Sequence, residues 1–259
     1  MIIFSKEEGF IKPKGIKIHE NHDPNIKLPS IAVGVFSRHL FHDIILKFNC
    51  REVGYLSCAS FERGVYIINY KNSLFTLFLA GAGGPHIAAD IEELNASGVS
   101  KFIIFGNCGV LDSKIGDCEI IIPNKAFRDE GTSYHYIEAS DSILLNPKYK
   151  DKFIDILNKY EFSYHEGATW TTDAFYRETR DKIDYFKKNG AITVEMEGSV
   201  IGAVCKYKNL DYFTFYYAGD NLDSETWEER SLSGLVKLDK KQEFALLAFE
   251  LAIVLNKLK

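Results

Sequence analysis

With 259 residues, 46% apolar and 26% charged, the chain has the proportions of a folded globular protein, which excludes disordered, collagen-like and fibrous classes. Lys and Arg number 31 against 36 Asp and Glu, and the basic residues are scattered, so nucleic acid is not an expected partner. An anionic ligand therefore has to be held by a few aimed donors, which makes single arginines informative. Five cysteines without a C-x-x-C pair point to neither a disulfide framework nor a zinc cage and fit a reducing cytoplasm.

The chain is expected to form one domain over residues 1–259, because no low-complexity linker, fixed-period repeat or proline-rich break divides it. Met1 to Phe10 carry Lys6, Glu7 and Glu8 and lack the pattern of a secretory leader; no apolar run approaches the length of a membrane span, so no membrane partner is expected. Residues 1–29 read as a polar arm containing His19, His22 and Asp23. Ile31 to Phe36 then reads as a short buried strand and His39 to Phe48 as a helix. Val53 to Ala59, Gly64 to Tyr70 and Leu74 to Ala80 are rich in β-branched and aromatic residues, with a turn expected at Lys71-Asn72-Ser73.

Gly81-Ala82-Gly83-Gly84 precedes Pro85, a favoured first helical residue, and Ile87, Ala88, Ile91 and Leu94 recur at helical spacing until Gly98. Lys101 to Phe105 is predicted as a strand ending in the glycine turn Gly106 to Gly109. Strand, glycine loop, helix and strand in succession imply an α/β fold, a mainly parallel sheet flanked by helices. Pro147 to Tyr160 and Thr179 to Asn189 are predicted helices, Ala191 to Val194 a strand, Met196 to Tyr207 a helix and Tyr212 to Ala218 a strand. Lys240 to Leu258 closes the chain as an amphipathic helix whose apolar stripe belongs to the core.

Ligands of open α/β sheets collect beyond the carboxyl ends of the strands, so polar residues there have priority. Four places qualify. Gly34-Val35-Phe36-Ser37-Arg38 offers close backbone approach and a planar charged fork for an oxyanion, the plain alternative being a strand end with a surface arginine. Gly106-Asn107-Cys108-Gly109 offers amides and a side-chain donor, or is an ordinary turn. Val194-Glu195-Met196-Glu197 joins an apolar strand to a nearly uncharged helix, so at least one carboxylate should be partly buried and in need of partners such as sugar hydroxyls. Ala218-Gly219-Asp220-Asn221 places an acid after an aromatic strand, either in the site or as a turn residue. The Gly81 to Gly84 run lacks the spacing of a phosphate or dinucleotide loop and is expected to be a tight turn. His135, among tyrosines, is either an acid or base or a structural hydrogen-bonding residue.

Taken in order, these segments resemble the nucleoside phosphorylase family of bacterial purine nucleoside phosphorylases, uridine phosphorylases and related nucleosidases, over roughly residues 30 to 255. The resemblance rests on Gly34 to Arg38, Gly81 to Pro85 with Glu92-Glu93-Leu94, Gly106 to Gly109, Val194 to Glu197 and Gly219-Asp220, the spacing of the last two being the specific part. It implies an α/β domain with a central twisted mixed sheet flanked by helices. Phosphate would be held by Gly34, Arg38 and Asn107. Ribose would lie over Met196, with Glu197 on its hydroxyls, Glu195 in support and His19 of a neighbouring subunit near the 5′ hydroxyl. Asp220 and Phe175 would face the base, and Arg230 would assist Asp220 as the catalytic acid.

The implied reaction is cleavage of the N-glycosidic bond by phosphate, giving free base and ribose 1-phosphate, in a homo-oligomer such as a dimer or a hexamer. Phosphate is a co-substrate; no metal and no organic cofactor are implied. Many phosphorylases carry an arginine two residues before the glycine turn, where Ile104 stands here, and the family hydrolases lack it too; hydrolysis by water is therefore an alternative. The uracil-reading signature of uridine phosphorylases is not matched by Phe175-Tyr176-Arg177-Glu178-Thr179-Arg180, and Asp220 favours a purine. Arg177, Arg180 or Arg128 could replace the missing phosphate ligand. Uridine phosphorolysis and a non-catalytic storage protein, such as this fold also includes, complete the alternatives.

Overall fold

The Ile31–Val35 run (β1) is buried at every position, as a strand covered on both faces must be. It lies in parallel between β4 (Ser73–Leu79) and β5 (Lys101–Val110). The computed structural model describes residues 2–18 and 26–258. On the far side of β4 follow β3 (Glu62–Tyr70) and β2 (Cys50–Ser57), both antiparallel. Lys71 and Asn72, both in the left-handed region with φ of 47° and 63°, make the two-residue turn between β3 and β4.

The other half of the sheet bends round. β10 (Asp211–Asn221) runs parallel to β5 and touches β6 (Ile120–Asp129), β6 runs parallel to β8 (Tyr164–Thr172), β8 to β9 (Ala191–Glu195), and β9 returns to β5 antiparallel at Gly109 and Val110. Five strands thus form a closed ring, with β7 (Ser142–Leu144) paired outside to β6. The result is a mixed ten-stranded sheet flanked by helices.

One apolar core lies where α1 (Arg38–Lys47), α3 (Lys150–Lys159) and α6 (Leu238–Lys257) cover one face, with Phe153, Phe213, Phe215, Phe244 and Phe249 at its centre. A second fills the opposite face under α2 (Gly84–Ala96) and α5 (Gly198–Lys208). α4 (Arg180–Lys188) seals a smaller cluster in which Phe186 stacks on Trp170 at 4.4 Å. Among the described residues no helix is long and apolar enough to cross a membrane.

Two regions differ from the sequence expectation. Gly106 to Gly109 is not a turn: β5 continues through it to Val110, because β10 stays paired along this whole length. Three strands, β6 to β8, occupy a stretch where none is predicted. Pro123 interrupts β6 at a register shift, and β8 buries the hydroxyls of Thr169, Thr171 and Thr172 where an apolar run would have marked it.

Candidate active site

The site begins as a gap in a hydrogen-bond ladder. β1 leaves the edge of β5 after Val35 opposite Phe105, and β9 takes up the same edge only at Gly109. Residues 106–108 have no strand partner there. A cavity of about 690 Å³ opens at this point, lined by Phe36 from the end of β1, Asn107 and Cys108 from β5, and Glu195, Met196 and Glu197 from the end of β9. Strand ends that part in this way are where α/β sheets bind ligands.

Glu195 points inward and is fully engaged. Its Oε1 accepts from Thr171 Oγ1 at 2.6 Å and Thr169 Oγ1 at 3.3 Å; its Oε2 accepts from the amides of Glu197 at 2.8 Å and Gly198 at 2.5 Å. A carboxylate thus caps α5, whose own N-cap residue, Glu197, supplies no capping side chain. Burial pushes the Glu195 carboxyl above its usual range, against the pull of these four donors.

Glu197 is 8% exposed and faces the cavity. Its Oε1 accepts from the Gly83 amide at 2.5 Å. Gly83 has φ of +86°, a conformation that glycine adopts without strain, and it caps α2. Burial, followed by the negative charge of Glu195, pushes the Glu197 carboxyl up to about 8, while the Gly83 amide pulls the other way.

Asp220 forms the far wall. β10 carries a bulge between Ala218 and Asp220, so these residues pair with the successive residues Cys108 and Gly109 and leave the sheet on opposite faces. Trp227 Nε1 donates to Asp220 Oδ2 at 2.8 Å. Burial raises the Asp220 carboxyl, and the Trp227 bond and the charge of Arg230 oppose that rise. Glu178 lines the same cavity; burial and then the charge of Asp220 push it up to about 7, with Lys182 acting in the opposite direction. Phe175 and Tyr176 stand at the rim, their rings 4.1 Å apart, with Tyr176 89% exposed.

The cavity therefore collects Asn107, Glu195, Met196, Glu197, Phe175 and Asp220 of the residues singled out in the sequence. Gly34 is not in its wall. That glycine lies within β1, where an added Cβ would come 2.5 Å from Phe78 Cζ, so its small size is required by packing. Arg38 opens α1 and is exposed, two residues beyond Phe36 of the cavity wall and outside it. Arg230, at φ of +47°, donates to Ile115 O at 3.0 Å and Glu228 Oε2 at 3.2 Å and acts on Asp220 through its charge. His19 lies outside the described residues. Ile104 is fully buried in the core. Of the arginines considered as substitutes, Arg180 lines the cavity but gives its guanidinium to Leu222 O and Ser224 O, both at 2.9 Å. Arg128 is buried, stacked on Tyr134 and bonded to Ser133 and Ser140.

Sequence reasoning missed the anchors of these groups. Thr169 and Thr171 alternate along an unpredicted strand, and Trp227, one of only two tryptophans, had no assigned role. The Gly81 to Gly84 run is a tight turn that also supplies the Gly83 amide to Glu197. Glu178 sits between Arg177 and Arg180, whose fixed charges are the more obvious anion ligands in sequence. Among the described residues no group of three or more His, Cys, Asp or Glu is arranged to hold a metal ion.

The model of the phosphorylase superfamily matches residues 47–252. The chain belongs to that superfamily. It is 28% identical over 153 residues to a guanosine phosphorylase of Halorubrum lacusprofundi, covering 58% of this chain and 63% of that protein. It is 34% identical over 107 residues to a uridine phosphorylase of Thermococcus kodakarensis, covering 41% of this chain and 39% of the relative. The match thus spans less than two thirds of the length of either relative. A DeoD-type purine nucleoside phosphorylase of Mycoplasma genitalium is 27% identical over 198 residues, 72% of this chain and 78% of that one. Among solved structures, the purine nucleoside phosphorylase of Toxoplasma gondii in complex with immucillin-H superposes with a TM-score of 0.75 at 16% identity, covering 96% of this chain and 98% of its own. An AMP nucleosidase of Bacteroides thetaiotaomicron does so with a TM-score of 0.71 at 17% identity, covering 90% and 91%. At such identities the likeness is one of fold.

Proposed function

We propose that the protein cleaves the N-glycosidic bond of a nucleoside, a purine nucleoside in preference, by phosphorolysis. The observation that carries this reading is the pair of buried carboxyl groups, Glu197 and Asp220, on different walls of one nucleoside-sized cavity. Departure of the base leaves oxocarbenium character on the sugar and negative charge on the base. Glu197, held at the ribose end, stabilises the first once ionised, a form that the Gly83 amide favours against burial; Asp220, kept above its usual range by burial, delivers a proton to the second. Met196 forms the surface under the sugar, Phe175 stacks on the base at the rim, and Arg230 modulates Asp220 through its charge.

Phosphate enters beside Phe36 and Asn107, where the Asn107 amide, turned to the unpaired edge of β5 by strand alternation, and the nearby Arg38 fork are suited to an oxyanion. The reading includes an assembly of at least two copies. No metal or organic cofactor takes part in this reading. Hydrolysis by water is the second reading, favoured by one observation: Ile104 is buried, so no phosphate ligand comes from that position, and Arg38 stands outside the cavity wall.

The deciding experiment incubates inosine, guanosine, adenosine and uridine with the protein, with and without phosphate, and follows free base and ribose 1-phosphate. Phosphate-dependent release from purine nucleosides is the expected result. Release that is indifferent to phosphate selects hydrolysis, and none from any nucleoside leaves a binding protein. A monomer by light scattering that is fully active at the same concentration overturns the shared site.

A further inference from the structure

We infer that the buried pair Arg63 and Asp90 is a positioning device for the active site, fixing the loop after β4 so that the Gly83 amide meets the Glu197 carboxylate. Its bearing on catalysis rests on the ribose role proposed for Glu197. Neither residue lines the cavity. Arg63 lies on β3 and Asp90 on α2, and their side chains are only 8% and 3% exposed.

The guanidinium grips the carboxylate with both ends of its fork, Nη1 to Oδ2 and Nη2 to Oδ1, each at 2.6 Å. Both groups hold backbone as well. Arg63 Nη1 donates to Leu79 O at 2.8 Å, the last residue of β4, and Asp90 Oδ2 accepts from the Gly81 amide at 2.8 Å. His86 Nδ1 meets Ala82 O at 3.0 Å, and Gly83 reaches Glu197 at 2.5 Å. Each residue from Leu79 to Gly83 except Ala80 is therefore tied by a side chain, and Ala80 donates to Val35 O in β1 at 3.0 Å. The loop has no slack: a Cβ on Gly81 would lie 2.7 Å from His86 Cβ and 2.9 Å from Arg63 Nη1.

Stability alone is a poor reason for such a pair, since well-packed apolar residues often replace a buried ion pair without loss. Apolar residues cannot hold the Gly81 amide. The consequence falls on Glu197, which is faced by Glu195 at the end of β9, Asp173 beyond β8 and the Tyr216 hydroxyl of β10. Against these negative or neutral groups the amides of Gly83 and Met196 are what favour the ionised form. A loop free to drift withdraws one of them.

Two double variants isolate the contact. Arg63→Met with Asp90→Asn removes both charges and keeps an acceptor for Gly81; Arg63→Met with Asp90→Leu removes the acceptor too. Glu197 is followed by carboxyl-carbon NMR on glutamate-labelled protein, its signal assigned by its loss in Glu197→Gln. The Leu variant should titrate roughly one pH unit above the Asn variant, the size of one lost donor to a carboxylate. The acid limb of base release should rise by the same amount. Equal midpoints in two folded variants overturn the inference. Should a double variant not fold, Arg63→Lys keeps the charges balanced but loses the fork: a raised Glu197 midpoint there supports the positioning role, and an unmoved one overturns it. The titration needs no activity, so absence of base release from the native protein would sink the functional reading without touching this one.

Discussion

Trp227 and Asp220, seven residues apart, are joined by a hydrogen bond of 2.8 Å from the indole nitrogen to Oδ2, which fixes a carboxyl group that the bulge in β10 has already turned into the cavity. The bond favours the ionised carboxylate and so opposes the effect of burial. Trp227→Phe keeps a ring and deletes the donor. The alkaline limb of the kcat profile should then move to higher pH, with a several-fold loss of rate from misorientation, as expected for one bond worth about 1 kcal/mol or somewhat more. An unchanged limb would reduce Trp227 to a wall residue.

Asp220→Asn tests the proton itself. An amide can hydrogen-bond to a departing purine but cannot protonate it, so cleavage of inosine should fall sharply while an activated nucleoside whose leaving group needs no proton is largely spared. Equal losses on the two substrates would make Asp220 a general positioning group.

Glu197→Ala should lower turnover on the order of a hundredfold or more, because the carboxylate acts on charge that exists only in the transition state. Near-normal turnover with a depressed Tm would instead mark Glu197 as a structural residue.

Glu197 also gives stability a pH dependence with a definite sign. Its folded value of about 8 lies above the ordinary 4.5, so between these values the folded protein holds a proton that the unfolded chain has lost. Stability from this group is complete below about pH 4.5 and declines as pH rises through about 8. Glu197→Gln should flatten the fall of Tm across that window. A slope identical to that of the native protein would contradict the burial argument.

Glu178 adds a titration near neutrality on the Asp220 side of the cavity, at about 7. Its ionised carboxylate is an acceptor for ring N–H groups, so kcat/KM for inosine or guanosine should rise through pH 7 in the native protein. Glu178→Gln should lose that step and narrow the preference for these bases over adenosine. Measuring both substrates from about pH 5 to about pH 10 separates this step from that of Glu197 near 8; a retained step near 7 would assign it elsewhere.

What sequence made legible follows from where side chains announce themselves. Glu195 and Glu197 stood out because charge was conspicuous between an apolar strand and an uncharged helix, and Asp220 because it followed six aromatic or β-branched residues. Gly34 is ambiguous in sequence, since a glycine admitting Phe78 is indistinguishable there from one admitting a ligand. Thr169 and Thr171 were silent because their burial depends on a strand that Glu195 itself helps to satisfy. Arg63 and Asp90 are 27 residues apart, on elements whose approach only the sheet order defines. Local pattern reports what one segment needs; it does not report which distant segment supplies it.

The unpaired edge at residues 106–108 gives the site a division of labour. Main-chain groups on that edge are the same whatever side chains evolution installs, so recognition built on them is insulated from mutation, while the opposite wall of Phe175, Glu178 and Trp227 is open to change. In a scaffold arranged in this way, a substitution at the rim alters one wall of the cavity and leaves the main-chain edge as it is.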